Sequence, residues 1–521
     1  MSKELKPGVK FILIIFVFAL IFGAYKVADK NGLLEKLAPK GKQVVLSDSA
    51  KQAAKKGIPV IRVGVVTWGG YAGGQYFNGG FTASTESRYY KDYGIMVEFV
   101  LNDEFSSSRN AWKADKVDVM WTTADSFVTE VDGLKDYEPQ IIFQADWSRG
   151  GDAIVVGHGI DTVKDLRGKT ISLALGTPSH SFILNTLAAG DMNYGDIKPI
   201  ETDSAITAAS MFKAGKVDAA VVWSPDDEDC VRNVTGSKVI VSTKKASNII
   251  ADVFFVKKSF LNKNRDSLKA LVEGWLRGAA EINSDPSAKE KAIQILMDGL
   301  KLDKGLASTA INNARLCTYG DNVNFFNMNG NFGGVKGEDL WTKMHKMYLA
   351  IAPYVKTSLV PETIQSWREV ADPSLLRSIT LVGSQHNAEG AVKFSAPSVA
   401  DETVAAYAEK PIKVSYAFGS SALTEDGKYI IDISFVDTAK QFSKSRIRIE
   451  GNTDNVGSDT ANISLSRKRA QSVANYLTSK YGFDYNRFVI VGNGSNKPVD
   501  SNDTEEGRAK NRRTEFCLLD K

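Results

Sequence analysis

The sequence predicts a chain of mixed α/β and α+β class: one apolar helix, a long α/β region, then a smaller α+β unit. Three observations predict it. Residues 11–25 read FILIIFVFALIFGAY without interruption. From Pro59 onward, short apolar strands alternate with amphipathic helices. Over the last stretch of about 110 residues the pattern reads strand, helix, strand, helix, strand, strand. At roughly 150 residues per domain, 521 residues require several compact units.

The apolar run follows Lys3, Lys6 and Lys10, the layout of an export signal or signal anchor. A cut after Ala24 would place Phe22, and a cut after Ala28 would place Lys26, where signal peptidase needs a small residue. Residues 1–28 are therefore expected to stay as a transmembrane anchor. Lysines flank both ends of the run, so charge alone leaves its orientation open. Residues 29–57 are Lys-rich with little apolar periodicity and read as a tether containing a short helix.

Residues 58–385 form the α/β region, with strands expected at IRVGVV, MVEFVL, VDVMW, QIIFQAD, AIVVG, TISLAL and DAAVVW. After about Phe254 the pattern becomes mostly helical. Residues 386–411 lack a strong apolar period and read as a linker. Apolar residues at 43%, charged residues at 24% and only 14 Pro exclude a wholly disordered or collagen-like chain. A net charge of +4 gives no basis for nucleic-acid binding, and three cysteines are too few for a disulfide framework.

Four segments place polar or aromatic groups just after apolar strands, where open α/β sheets present ligand sites: TWGGYAGG, WTTADS, LGTPSHSF and WSPDDED. In the third, Thr177 or Ser179 is expected to cap a helix with Pro178 in its first turn. Each segment alone is also an ordinary turn. Together with DTVKDLRGKTISLALGTPSHSFILNTLAAGDMNYGDIK and AASMFKAGKVDAAVVWSPD, they resemble the solute-binding proteins of nitrate, sulfonate and taurine importers and their thiamine-precursor relatives. That resemblance implies a two-lobed periplasmic-binding-protein-like (type II) domain closing over a small solute. It implies a cleft lined by Trp68, Gly69, Trp121, Thr122, Thr123, Thr177, Ser179, His180, Trp223 and Asp252. The run Asp226, Asp227, Glu228, Asp229 departs from the family pattern and argues against a simple anion. A cationic, zwitterionic or neutral heterocyclic solute is expected to fit at least as well.

No catalytic motif accompanies these segments. His158, His180, His345 and His386 are scattered, and no HExxH, CxxC, GxSxG or Walker-type loop occurs. The expectation is a binding protein without cofactor or metal, not an enzyme.

At the C-terminus, SRIRIEG opens into a loop and then a helix expected to begin near Asn462 or Ser464, which sets Arg469 close to Asp454. A lone Asp and Arg pair of this kind is usually a surface salt bridge. The longer pattern GNTDNVG, NISLSRKRAQSVANYL, VGNGSNKP and NDTEEGRAKNRRTE resembles the OmpA-like peptidoglycan-binding domain and covers residues 412–521. The resemblance implies that Asp454 receives the ammonium, and Arg469 the carboxylate, of diaminopimelate in the wall peptide, supported by Asn462 and Arg508. Asn452 stands where that family commonly has histidine.

Both resemblances imply an inner-membrane protein with its bulk in the periplasm. Its expected partners are peptidoglycan, a small solute, and an inner-membrane permease or envelope complex. The alternative is an envelope scaffold whose solute-binding region has lost its ligand or now binds protein. An ion-driven stator also joins an anchor to an OmpA-like domain, but residues 11–25 contain no Asp or Glu to carry a proton.

Overall fold

The computed structural model describes residues 46–416 and 420–520. The expected anchor and most of the tether lie outside the described residues. Among the described residues no helix is long and apolar enough to cross a membrane. The end of the expected tether is not free chain. Asp48–Lys55 is a helix capped by Ser47, and its Ala50 and Ala53 pack against Ala83 and Met96.

Two sheets build the α/β region. The first contains β1 (Val60–Val65), β2 (Met96–Leu101), β3 (Val119–Thr123), β4 (Pro139–Ser148), and later β10 (Ala251–Lys257) and β11 (Ala314–Leu316), in the order β11-β4-β10-β3-β1-β2. The second contains β5 (Asp152–Val156), β6 (Thr170–Ala174), β7 (Lys198–Thr202), β8 (Ala219–Trp223) and β9 (Lys238–Ser242), in the order β7-β6-β8-β5-β9. Every residue of β4, β5 and β10 is buried, as expected for strands covered on both faces.

The chain passes between the lobes twice, from β4 into β5 and from β9 back into β10. The two crossings are tied together. Ser148 Oγ lies 2.9 Å from Thr243 Oγ1, and the Gly150 amide donates to that same oxygen at 2.8 Å. Gly150 has φ +136°, a conformation side-chain-bearing residues rarely adopt.

The seven expected strands are present, and β7, β9, β10 and β11 are additional. β10 (ADVFFVK) falls where the sequence turns mostly helical. A short apolar run suits a strand or a buried helix equally, and only its place between β3 and β4 decides the matter. The helices expected around residues 267–282 and 291–300 are Arg265–Ser284 and Pro286–Leu300.

The C-terminal unit has one sheet, ordered β12-β15-β13-β14, from β12 (Ala406–Ile412), β13 (Arg446–Asn452), β14 (Phe488–Gly494) and β15 (Thr514–Leu519). Only β13 and β14 run parallel, and the long helix Asp459–Tyr481 packs on both. β12 starts inside the expected linker, because pairing with β15 supplies hydrogen bonds that the local sequence does not announce. The helix also begins earlier than its apolar spacing indicates: Ser458, not Asn462 or Ser464, is the cap, its Oγ accepting the Ala461 amide.

This unit packs against the second lobe and the return crossing. The Asn248 amide donates to the Gln441 carbonyl at 3.0 Å, Ser247 and Ser443 hydroxyls lie 2.7 Å apart, and Lys410 donates to the Ala188 carbonyl at 3.1 Å.

Candidate functional site

Two groups of side chains stand out, one between the lobes and one on the C-terminal sheet. In the first, the β-ladders bring together residues that are far apart in sequence. Asp252 on β10 is paired with Thr123 on β3 and with Asp146 on β4, while Asp152 on β5 lies opposite Trp223 on β8. Directly opposed residues point to one face of a sheet, so each pair shares a wall. Tyr71 donates its hydroxyl to Asp252 Oδ1 at 2.7 Å, and the Trp68 indole donates to both oxygens of Asp146 at 3.2 and 3.3 Å. Ser148 donates to Asp152 Oδ2 at 2.8 Å. Asp125, in the loop after β3, accepts the Ala251 amide at 3.3 Å through Oδ1.

These four carboxylates are buried and receive neutral donors only. Burial pushes Asp125 and Asp152 up to about 7 and Asp146 up to about 8, and it raises Asp252 well above the usual carboxylate range. Mutual repulsion adds to the shift of Asp252, which feels Asp146, Asp152 and Asp125. Asp227 is also raised by burial, and its charge bears on Asp152.

The candidate lining residues divide. Trp68, Thr123, Trp223 and Asp252 belong to this enclosure, and the Trp223 indole nitrogen is buried without a partner. Gly69, Trp121, Thr122 and His180 pack elsewhere. A Cβ on Gly69 would meet the Ala310 backbone at 2.3 Å, so this glycine permits close packing rather than ligand contact. Trp121 is held between Phe105 and Arg109, and Thr122 donates to Glu130, the ion-pair partner of Arg109. His180 lies against Tyr194 and Tyr348 and accepts the Gly176 amide, and burial lowers it to about 3, so it is neutral. Thr177 has cap backbone geometry, but its hydroxyl turns back to the Ala174 carbonyl, and buried Ser179 Oγ has no partner. Sequence reasoning missed Asp125, Asp146 and Asp152. Asp125 and Asp146 sit inside WTTADS and QIIFQAD, at strand ends where open sheets place ligands, and that position was the available signal.

In the second group, Asp454 lies in the loop after β13 and is ion-paired with Arg512 at 2.6 Å. Arg469, from the long helix, stacks over Tyr416 at 4.8 Å and donates Nε to the Ser420 carbonyl at 3.3 Å. Among the described residues its two terminal nitrogens have no partner, although it is near enough to Asp454 and Arg512 to feel both charges. Asn462 is buried and donates to the Asp454 and Val456 carbonyls, which shapes the loop. Arg508 is turned away, bound to Glu505 and the Asn502 carbonyl, while Glu505 also holds Arg512. Arg512 is thus the arginine that reaches Asp454. It occurs four residues later in NDTEEGRAKNRRTE, one turn along the same helical segment, where spacing alone does not separate the two.

Comparison with known proteins matches residues 76–289 to the family described as NMT1/THI5 like and residues 415–512 to the OmpA family. The chain joins an NMT1/THI5-like domain to an OmpA-family domain. The OmpA-family domain is 41% identical over 104 residues to Outer membrane protein A of Bordetella avium, covering 20% of this chain and 53% of that protein. It is 42% identical over 106 residues to Peptidoglycan-binding protein ArfA of Mycobacterium bovis, covering 19% of this chain and 32% of that protein. The chain spans about half the length, or less, of these curated relatives. Among solved structures, the periplasmic aliphatic sulphonate binding protein SsuA of Escherichia coli aligns at 17% identity and a TM-score of 0.41, covering 49% of this chain and 83% of that one.

Proposed function

We propose that this protein captures or senses a small solute between its two lobes while its OmpA-family domain holds it to peptidoglycan, with residues 1–28 anchoring it in the inner membrane and the bulk of the chain in the periplasm. The observation that carries the reading is Arg469. Its guanidinium is positioned by Tyr416 and Ser420, its terminal nitrogens have no partner among the described residues, and Asp454 stands beside it. A planar fork of this kind donates two parallel hydrogen bonds to a carboxylate. A carboxylate-accepting arginine next to an ammonium-accepting aspartate matches the two ends of a zwitterionic diaminopimelate group. Asn462 keeps the Asp454 loop in shape, and Arg508 acts through Glu505 on Arg512. The mycobacterial relative is named for peptidoglycan binding, which supports the wall reading.

The NMT1/THI5-like match and the two hydrogen-bonded crossings support lobes that close on a solute, with an inner-membrane permease or envelope complex receiving it. Co-sedimentation of the full chain with purified sacculi tests the wall reading. Wild type should pellet, and folded Arg469→Ala and Asp454→Asn should not. Equal pelleting of all three would reduce the Asp454 and Arg469 arrangement to a surface feature. Intact-mass measurement of membrane-extracted protein tests the anchor, since a mature N-terminus near Tyr25 or Asp29 would remove it.

A further inference from the structure

We propose that the solute held between the lobes is a small organic cation bearing at least one ammonium group. The inference deepens the binding-protein reading and rests on it. Asp146, Asp152 and Asp252 come from three strands in two lobes, and each is satisfied by a neutral donor alone: an indole, an aliphatic hydroxyl and a phenol. Among the described residues none of the three has an ion-pair partner, whereas Asp118 and Asp321, buried elsewhere in the same region, are paired with Arg62 and Arg315. Burying a carboxylate without a cation is costly, and here it happens three times in one place.

Asp125 adds an independent observation, because it belongs to a loop and not to the strands. It is fully buried, and its Oδ2 has no hydrogen-bond partner. Its Oδ1 accepts the amide of Ala251, the neighbour of Asp252, so it stands at the same strand end, with the Ser181 and Thr123 hydroxyls near its carboxyl. Two cations lie near. Arg149 acts on Asp146; its Nη2 is bound to Glu389 at 2.7 Å, while its buried Nε and Nη1 have no hydrogen-bond partner among the described residues, and Lys244 bears on Asp227 at the edge. One guanidinium, shared with Glu389, thus faces four buried carboxylates, and the rest of the positive charge must come from outside.

The arrangement favours an organic cation over a metal ion. Among the described residues no three His, Cys, Asp or Glu side chains gather as a metal set. The acceptors are instead distributed around Trp68 and Trp223. Separate carboxylates suit separate N–H donors on a carbon skeleton, and indole faces suit an ammonium and the methylenes beside it. An anionic solute would oppose each carboxylate that ionises, whereas an ammonium favours the ionised form.

The test is calorimetric titration of the purified full chain with putrescine, agmatine and ethanolamine, against taurine, nitrate and calcium. At least one of the three organic cations should bind saturably and raise the melting midpoint read by tryptophan fluorescence. Asp252→Asn and Asp152→Asn should each weaken that binding by roughly tenfold or more. If Asp252→Asn does not fold, Asp152→Asn is read alone, since its side chain has only Ser148 as partner. Undiminished cation binding by the folded variant overturns the proposal. Saturation by taurine, nitrate or calcium with all three organic cations inert also overturns it and leaves the binding-protein reading standing. Silence from every probe removes both.

Discussion

Glu450 in the OmpA-family domain and the aspartates buried between the lobes are treated in opposite ways. In the OmpA-family domain, Glu450 is 2% exposed and is met by Arg448 at 2.6 Å and Lys497 at 2.7 Å. Burial alone would raise it, but Lys497, Asn493 and Arg448 outweigh burial and hold it at about 2. Between the lobes, Asp125, Asp146 and Asp152 have no such partners and rise to about 7 or 8. The first arrangement completes its charges internally and fixes a sheet. The second leaves them incomplete, which is useful only where something from outside completes them.

The sharpest way to break this contrast is to remove an internal partner. Arg448→Met takes away the buried partner and leaves Glu450 with Lys497 and Asn493, which should cost up to about 3 kcal/mol, seen as faster amide exchange in β13 and β15. An unchanged exchange pattern would mean that Glu450 is not held by its cation.

The contrast also predicts opposite pH windows. A carboxyl group raised in the native state keeps its proton after the unfolded chain has lost it, so native protein binds more protons and stability falls as pH rises. For the cleft this loss runs from about 4 to about 8. Glu450 behaves inversely, contributing above its ordinary range and losing that contribution as pH falls towards about 2. All eight tryptophans lie between residues 68 and 367, so tryptophan fluorescence reads the binding region alone. Its melting midpoint should drop between pH 5 and 8, and Asp146→Asn should flatten the slope. A flat wild-type profile would contradict the unpaired cleft.

Arg469→Ala sharpens the comparison within the OmpA-family domain. It should cost about 1.5–3 kcal/mol of wall binding for each charge-assisted hydrogen bond lost, at least about tenfold in affinity, with lysine rescuing only in part. Because the residue makes one backbone hydrogen bond and one ring contact, the fold should remain intact. The smallest effect is expected from Arg512→Ala. Its pair with Asp454 is partly exposed, so stability should change by about 0–1 kcal/mol, and pelleting should weaken less than in Arg469→Ala. The reverse ranking would make Arg512 the main ligand contact.

Reading the sequence located most strands of the α/β region and the alternation of the C-terminal unit, because those strands carry unbroken apolar runs. It missed β10, whose ADVFFVK is equally apolar but stands next to a helical stretch, and it began the long helix four to six residues late because Ser458 caps through a turn that carries no apolar signal. The approach of Arg469 to Asp454 was legible because their motif is local. That Arg512 and not Arg508 pairs with Asp454 was not, because both lie in one short charged segment.

By itself, the sequence determined the order of the parts, the apolar run at residues 11–25, and which segments end strands with polar or aromatic groups. These are local properties, set by periodicity and composition over a few residues. Only the tertiary structure decided that Asp125, Asp146, Asp152 and Asp252 share one enclosure, that Tyr71 reaches Asp252 from 181 positions away, and that Trp121 and His180 are packing residues. The physical reason is that the charge state and accessibility of a side chain depend on its neighbours in space. In a fold that crosses twice between two sheets, those neighbours come from strands that are distant in the chain.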